Sequence, residues 1–174
     1  MKVYLAGPLG FSEGGRVFHE KVVVAAVRRL GHVDLDPWSA TNPLGIEPGL
    51  AAQITAATHM PYGQARREAW RRLNPRIGAK NQAMIDGCDM VFAVLDGVDV
   101  DSGTAAEIGY AFAQGKPILG YRGDLRLSAD NVGSMVNLQV EYFIRRSGGD
   151  IITRMSEFDA ALAKIKIAGP KPPN

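Results

Sequence analysis

The sequence predicts a doubly wound α/β domain, in which a parallel sheet of five strands carries helices on both faces. Three observations carry that prediction. Short apolar runs alternate with segments of helical periodicity, the pattern of βαβ units. Met90–Leu95 is an unbroken apolar run, as expected of a strand buried on both faces. Glycine and proline stand where these runs end, at Gly7-Pro8, Gly31 and Gly115 with Pro117.

Taken in order, Val3–Ala6 reads as the first strand and Gly7-Pro8-Leu9-Gly10 as its turn. A helix follows from about Glu13, with Ser12 as its cap and Phe18, Val22, Ala26 and Leu30 at helical spacing up to Gly31. Val33–Leu35 is a short second strand closed by Asp36-Pro37. From Trp38 to Pro75, prolines at 43, 48, 61 and 75 divide the chain into short helical pieces and loops, an irregular insertion over about 38–75. Regular patterning resumes at Arg76, where Ile77, Asn81, Met84, Ile85 and Cys88 share one helical face before the strand Met90–Leu95. An acidic loop leads to Ser102-Gly103-Thr104 and a helix to about Gln114, and Pro117–Tyr121 is the fourth strand. Asn137–Arg145 reads as a helix, Asp150–Thr153 as the last strand and Glu157–Ile165 as the last helix. Residues 1–166 thus form one domain, and the Gly-Pro-Lys-Pro-Pro-Asn end places 167–174 in a disordered tail.

Composition narrows the function classes. The chain has 174 residues, 46% hydrophobic and 22% charged, with a formal net charge of +2. That small total is unevenly spread. Arg66, Arg67, Arg71, Arg72, Arg76 and Lys80 face a single Glu68 between Gln64 and Lys80, a local +5, while the rest holds 14 basic and 17 acidic residues. A nucleic-acid partner is therefore not expected, since its proteins spread positive charge across a face. The arginine segment reads as a solvated or intersubunit helix face, with phosphate binding as the alternative. The lone Cys88 excludes an internal disulfide and a zinc knuckle, and points to a reducing compartment. The apolar start is too short for a signal peptide, and the longest apolar stretches fall far below the ~20 residues of a membrane span. A cytoplasmic protein without a membrane partner is the expectation.

In open α/β sheets, ligands bind beyond the carboxyl ends of the strands, where strand order reverses. Two loops there carry suitable residues. The one after Met90–Leu95 holds Asp96, Asp99, Asp101 and then Glu107, four carboxylates within twelve residues and no lysine or arginine among them. Asp96 and Asp99 read as solvated loop acids. Thr104-Ala105-Ala106-Glu107 fits a capping box; the functional reading makes Glu107 an ionised nucleophile or base and gives Asp101 a ligand hydroxyl. Asn81 is a polar amide on an otherwise apolar face, bonded either to local backbone or to the site. Tyr4 is either a core residue or a phenol facing the same strand ends. The first loop matches neither the dinucleotide nor the triphosphate glycine pattern. His19, His32 and His59 lack metal-ligand spacing, so no metal site is expected. Trp38 and Trp70 suit a core or a pocket wall equally.

Val3-Tyr4-Leu5-Ala6-Gly7-Pro8-Leu9, Asn81 with Ile85 and Asp89, Asp101-Ser102-Gly103-Thr104-Ala105-Ala106-Glu107-Ile108-Gly109-Tyr110-Ala111, and Gly115-Lys116-Pro117-Ile118 together resemble the nucleoside 2-deoxyribosyltransferase family. The resemblance runs from about Lys2 to about Leu162, outside the Trp38–Pro75 stretch. It implies a flavodoxin-like fold and transfer of 2-deoxyribose between nucleobases without a metal or organic cofactor. By position, Glu107 matches the family's nucleophile, Asp101 the aspartate holding a sugar hydroxyl, and Tyr4 the tyrosine orienting the nucleophile. Gly7 and Phe11 fall where the first loop packs against the base. Asn137 resembles an asparagine reaching the sugar in a neighbouring subunit's site, which implies homo-oligomers, often hexamers built from dimers. Some family members carry an aspartate near the base where this chain has Asn81, and an amide cannot supply a proton as a carboxylic acid does.

The expected partners are deoxynucleosides and free nucleobases. Cleaving an N-glycosidic bond builds positive charge on the sugar, which a carboxylate beneath the anomeric carbon stabilises and then captures. The alternatives are a glycosidase of the same fold acting on deoxynucleoside monophosphates, with Ser12, Arg16 or the arginine cluster gripping phosphate, and a nucleotide-sensing module without turnover.

Overall fold

The computed structural model describes residues 1–39, 44–126 and 131–166, and the predicted tail lies outside them. Five strands form one parallel sheet in the order β2-β1-β3-β4-β5: β1 (Lys2–Ala6), β2 (Val33–Leu35), β3 (Met90–Val94), β4 (Ile118–Tyr121) and β5 (Ile151–Ile152). The order reverses between β1 and β3. Tyr4 lies opposite Leu35 on one side and Val91 on the other, so β1 sits at the centre of the reversal.

Alternation along the strands divides the core. Tyr4, Ala6, Leu35, Val91 and Ala93 point to one face, where α4 (Gln64–Asp86), α5 (Ser102–Ala113) and α6 (Leu138–Arg146) bury Met84, Ile85, Ile108, Ala111, Val140 and Ile144. Val3, Leu5, Met90, Phe92 and Val94 point to the other, against Val23, Val24, Val27, Phe158 and Leu162. The helices of that second face are α1 (Glu13–Phe18), a π-helical segment (His19–Val24), α2 (Ala25–Arg29) and α7 (Phe158–Leu162). Ser12 caps α1 as predicted, its Oγ accepting from the Gly15 amide at 3.0 Å. The last predicted helix, Glu157–Ile165, is shorter than expected: Glu157 ends a separate 3-10 turn from Met155, and the helix stops at Leu162.

The largest departure from the sequence reading lies around Pro75. α4 runs through it as one helix of 23 residues instead of starting at Arg76, and α3 (Leu50–His59) packs beside it. The proline removes one backbone donor and costs about 3 kcal/mol in a helix interior. It faces solvent, and the α3–α4 contact supplies a core of its own from Leu50, Ala57 and Leu73, flanked by Ile54, Met60, Ala69, Trp70 and Ile77. Packing of these side chains outweighs the local penalty. No helix among the described residues is long and apolar enough to cross a membrane.

Candidate active site

The site is built where β1 meets α4 and α5. Asp101, not Thr104, is the cap of α5: its Oδ2 accepts from the Thr104 amide at 2.9 Å and from the Thr104 hydroxyl at 3.1 Å. The capping box read from Thr104 to Glu107 is therefore not the one used. Because the helix begins at Ser102, Glu107 is its sixth residue, beyond the first turn where backbone donors are unpaired. Its side chain turns to the sheet instead of back to the cap.

There Glu107 Oε1 accepts from the Tyr4 hydroxyl at 2.6 Å and from Asn81 Nδ2 at 3.4 Å. Three residues far apart in sequence thus meet on one oxygen. Both bonds fall on Oε1, and Oε2 has none among the described residues. Burial pushes the Glu107 carboxyl up to about 6, helped by the charge of Asp101 and opposed by the bonds from Tyr4 and Asn81. The Tyr4 phenol is driven far upward by its own burial first and by Glu107 second, so it stays a neutral donor. Asn81 places its amide nitrogen on Glu107 and leaves its buried Oδ1 without a hydrogen-bond partner among the described residues. A second network fixes α4 against α5 one turn further along. The Tyr110 hydroxyl donates to Asp86 at 2.7 Å and accepts from Gln82 and Gln114, each at 3.1 Å.

The loop before Asp101 is held from the neighbouring strand. Asp96 Oδ1 accepts from the Gly123 and Asp124 amides at 2.7 and 2.9 Å, so it is a structural anchor and not a solvated acid. Reciprocally, the buried Arg122 guanidinium donates to the carbonyls of Leu95, Gly97 and Arg126. Asp99 is exposed, as expected, and among the described residues its side chain accepts only from the next amide, Val100.

Gly7 keeps the first loop tight: its φ is +154°, and a Cβ there would stand 3.0 Å from Val94 Cβ. Phe11 projects into solvent beyond it and meets Trp38 edge to face, the ring centroids 4.7 Å apart. Trp38 belongs to this loop's surroundings, a placement the sequence left open. Its Nε1 donates to the Gly7 carbonyl at 3.1 Å and its backbone amide to Asp36 Oδ1 at 2.9 Å. An acid and an aromatic immediately after a predicted strand are the signal that could have located it. Asn137 makes no hydrogen bond to Glu107 among the described residues; it caps α6, accepting from the Gln139 amide at 3.0 Å. Two members of the arginine cluster serve the hairpin itself. Arg76 bonds Glu47 and Gln53, while Arg66 bonds the Met60 carbonyl and lies 4.3 Å over the Tyr62 ring. Among the described residues, no group of three or more His, Cys, Asp or Glu side chains is arranged to hold a metal ion.

The family model for nucleoside 2-deoxyribosyltransferase matches residues 3–139. The chain belongs to that family. The match runs through 38–75, the stretch in which the motifs were hardest to read. Among curated proteins, an uncharacterized protein of Schizosaccharomyces pombe is 38% identical over 52% of this chain and 62% of its own length, so the chain spans under two thirds of that relative. Among solved structures, a 2-deoxyribosyltransferase from Leishmania mexicana superposes with a TM-score of 0.56 at 26% identity, covering 93% of this chain and 94% of the other. A conserved protein from Enterococcus faecalis shares the fold with a TM-score of 0.64 at 20% identity over 94% and 97% of the two chains. The CMP N-glycosidase of Clostridium botulinum does so at 0.50 and 19% identity over 94% and 98%. The deoxyribosyltransferase fold thus frames both transferases and a glycosidase, and the family acts on nucleosides and nucleobases.

Proposed function

We propose that the chain transfers 2-deoxyribose between nucleobases by a retaining double displacement through Glu107. The observation that carries this reading is the setting of that carboxylate, half-buried and fixed on Oε1 by Tyr4 and Asn81, where desolvation pushes it up to about 6. Ionised at neutral pH, it meets the positive charge that develops at C1′ as the glycosidic bond stretches. The C1′–N bond breaks with its electron pair passing to the base, which takes up a proton and leaves. Glu107 Oε2 bonds to C1′. A nitrogen of the second base then attacks C1′, the ester C–O bond returns its electrons to Glu107, and the incoming base loses its proton. Two inversions give net retention, and kinetics are ping-pong.

In this scheme Tyr4 and Asn81 are donors that orient Glu107, and Asp101 Oδ1 takes a sugar hydroxyl while Oδ2 remains the cap. Gly7 and Phe11 border the base. Asn137 acts on the sugar of a neighbouring subunit's site in a homo-oligomer; the exposed Leu138 and Tyr142 beside it support an interface there. Neither a metal nor an organic cofactor has a step in the scheme.

A glycosidase acting on monophosphates is the second reading, favoured by the fold likeness to the CMP N-glycosidase. It needs a phosphate grip, and the first-loop candidates are engaged internally: Ser12 Oγ caps α1, and Arg16 donates to the Gly10 carbonyl at 3.1 Å. Deoxyadenosine with cytosine, and a deoxynucleoside monophosphate alone, separate the two by mass analysis. Deoxycytidine and adenine mark transfer, free sugar phosphate marks hydrolysis, and ligand binding without product marks a sensing module. Mixing Asn137→Ala with Glu107→Gln protein should restore part of the exchange activity, and no recovery would refute the shared site.

A further inference from the structure

Phe11 and Trp38 are two large apolar rings left facing water at the carboxyl end of β1, 73% and 42% exposed. Exposed aromatics are ordinarily mobile, yet Trp38 is held from four sides. Its amide bonds Asp36, its indole N–H bonds Gly7, its ring meets Phe11 edge to face, and it covers Gly10 so closely that a Cβ there would lie 2.0 Å from the ring. Asp36 is itself buried at the end of β2, with its second oxygen 3.0 Å from the buried His19 Nε2. A buried carboxylate, a buried histidine and a glycine are spent on keeping one exposed indole in place.

A fixed, solvent-facing aromatic corner presents apolar area without the entropy cost of ordering it on binding. Planar heterocycles are the ligands that such a corner suits, because stacking needs only a π-face and tolerates different ring substituents. The geometry points to Trp38 as the specificity-determining wall of the nucleobase subsite, with Asp36 as the positioning residue that holds it. This rests on the proposed action on nucleobases but adds a residue that neither the motifs nor the chemistry at Glu107 requires.

The chain has two tryptophans, and Trp70 packs into the α3–α4 hairpin, so indole emission can be assigned. Free adenine cannot turn over without a deoxyribose donor. Titrated into the full-length wild-type chain, it should quench emission saturably. The quench should persist in Trp70→Phe and vanish in Trp38→Phe. In the exchange assay, Trp38→Leu should raise KM for the acceptor base about tenfold or more, the loss expected for one base–aromatic stack, while kcat changes by less than about threefold. Asp36→Ala should raise the same KM, whereas Asp36→Asn, which retains an oxygen for the Trp38 amide, should recover most of it. Adenine quenching that survives Trp38→Phe overturns the assignment, as does an unchanged acceptor KM in Trp38→Leu. Exchange without a Trp38 quench refutes this wall and leaves the transfer standing; a Trp38 quench without exchange refutes the transfer and leaves the wall.

Discussion

Tyr4→Phe removes the shorter of the two bonds that hold Glu107 and changes almost nothing else, since the ring stays in the same buried position on β1. The lost bond is a hydroxyl donor at 2.6 Å, from a fully buried phenol to a half-buried carboxylate. Bonds to charged groups contribute roughly 1.5–3 kcal/mol, and 1.36 kcal/mol corresponds to one pKa unit, so the Glu107 pKa should rise by roughly 1 to 2. From a value near 6, that moves the acid limb of the pH–rate profile to roughly 7–8. The ionised fraction at pH 7 then falls from about nine-tenths to between a half and a tenth, and base exchange falls by roughly twofold to tenfold. Above about pH 9 the variant should regain most of its rate, because the carboxylate is ionised again. The assay is initial exchange rate against pH, with circular dichroism at each end to verify folding. An acid limb that stays where it was refutes the claim that Tyr4 sets the ionisation of Glu107. So does an equal loss at every pH, which would make Tyr4 a matter of geometry alone.

Glu107→Gln should abolish exchange and also alter stability in a pH-dependent way. The folded carboxyl titrates near 6 against 4.5 ordinarily, so the native state binds the proton more tightly, and this contribution, complete below about 4.5, is lost as pH rises through 6. The glutamine variant should therefore gain on the order of 2 kcal/mol relative to wild type at pH 7 and nothing at pH 4, read by urea denaturation at both values. Asp101→Ala should lose about 1 kcal/mol from the α5 cap, whereas Asp101→Asn keeps the cap. If Asp101→Asn also keeps full exchange activity, the sugar-hydroxyl role is wrong. Arg122→Met should destabilise by about 3 kcal/mol, since the carbonyls of Leu95, Gly97 and Arg126 beyond β3 and β4 lose a charged donor, and an unfolding midpoint equal to wild type would contradict that role.

Strand positions were legible because burial on both faces leaves apolar runs that need no partner to be recognised. Val33–Leu35 matches the observed strand at both ends, and the other four differ only at their ends. Asn81 could be nominated as an amide on an apolar face, Tyr4 as a phenol on the first strand and Glu107 as the last of four clustered carboxylates, but their convergence on one oxygen depends on β1, α4 and α5 packing together. Two misreadings arise where a local signal is outweighed, by a second local signal at Thr104 and by tertiary packing at Pro75. Thr104 and Asp101 are both good caps, and Asp101 wins because one of its oxygens can serve the Thr104 amide and hydroxyl together. Pro75 is a helix breaker in isolation, yet the α3 contact overrides it. Asp96 looked like one more solvated acid because the amides it serves, at Gly123 and Asp124, lie on a different strand's loop.

Pro75 also has a mechanical consequence. It deprives the Arg71 carbonyl of its helical donor midway along α4, between the half that carries Arg66, Arg67, Arg71 and Arg72 and the half that carries Asn81. A helix with one bond missing on its solvent side bends there first. The hairpin should therefore flex without levering Asn81 off Glu107, so the proline works as a strain relief between the surface and the chemistry. Pro75→Ala should stiffen the joint, seen as slower amide exchange around Ala79. It should also make the exchange rate sensitive to substitutions at Arg67 and Arg71, which in the wild-type background should leave that rate unchanged.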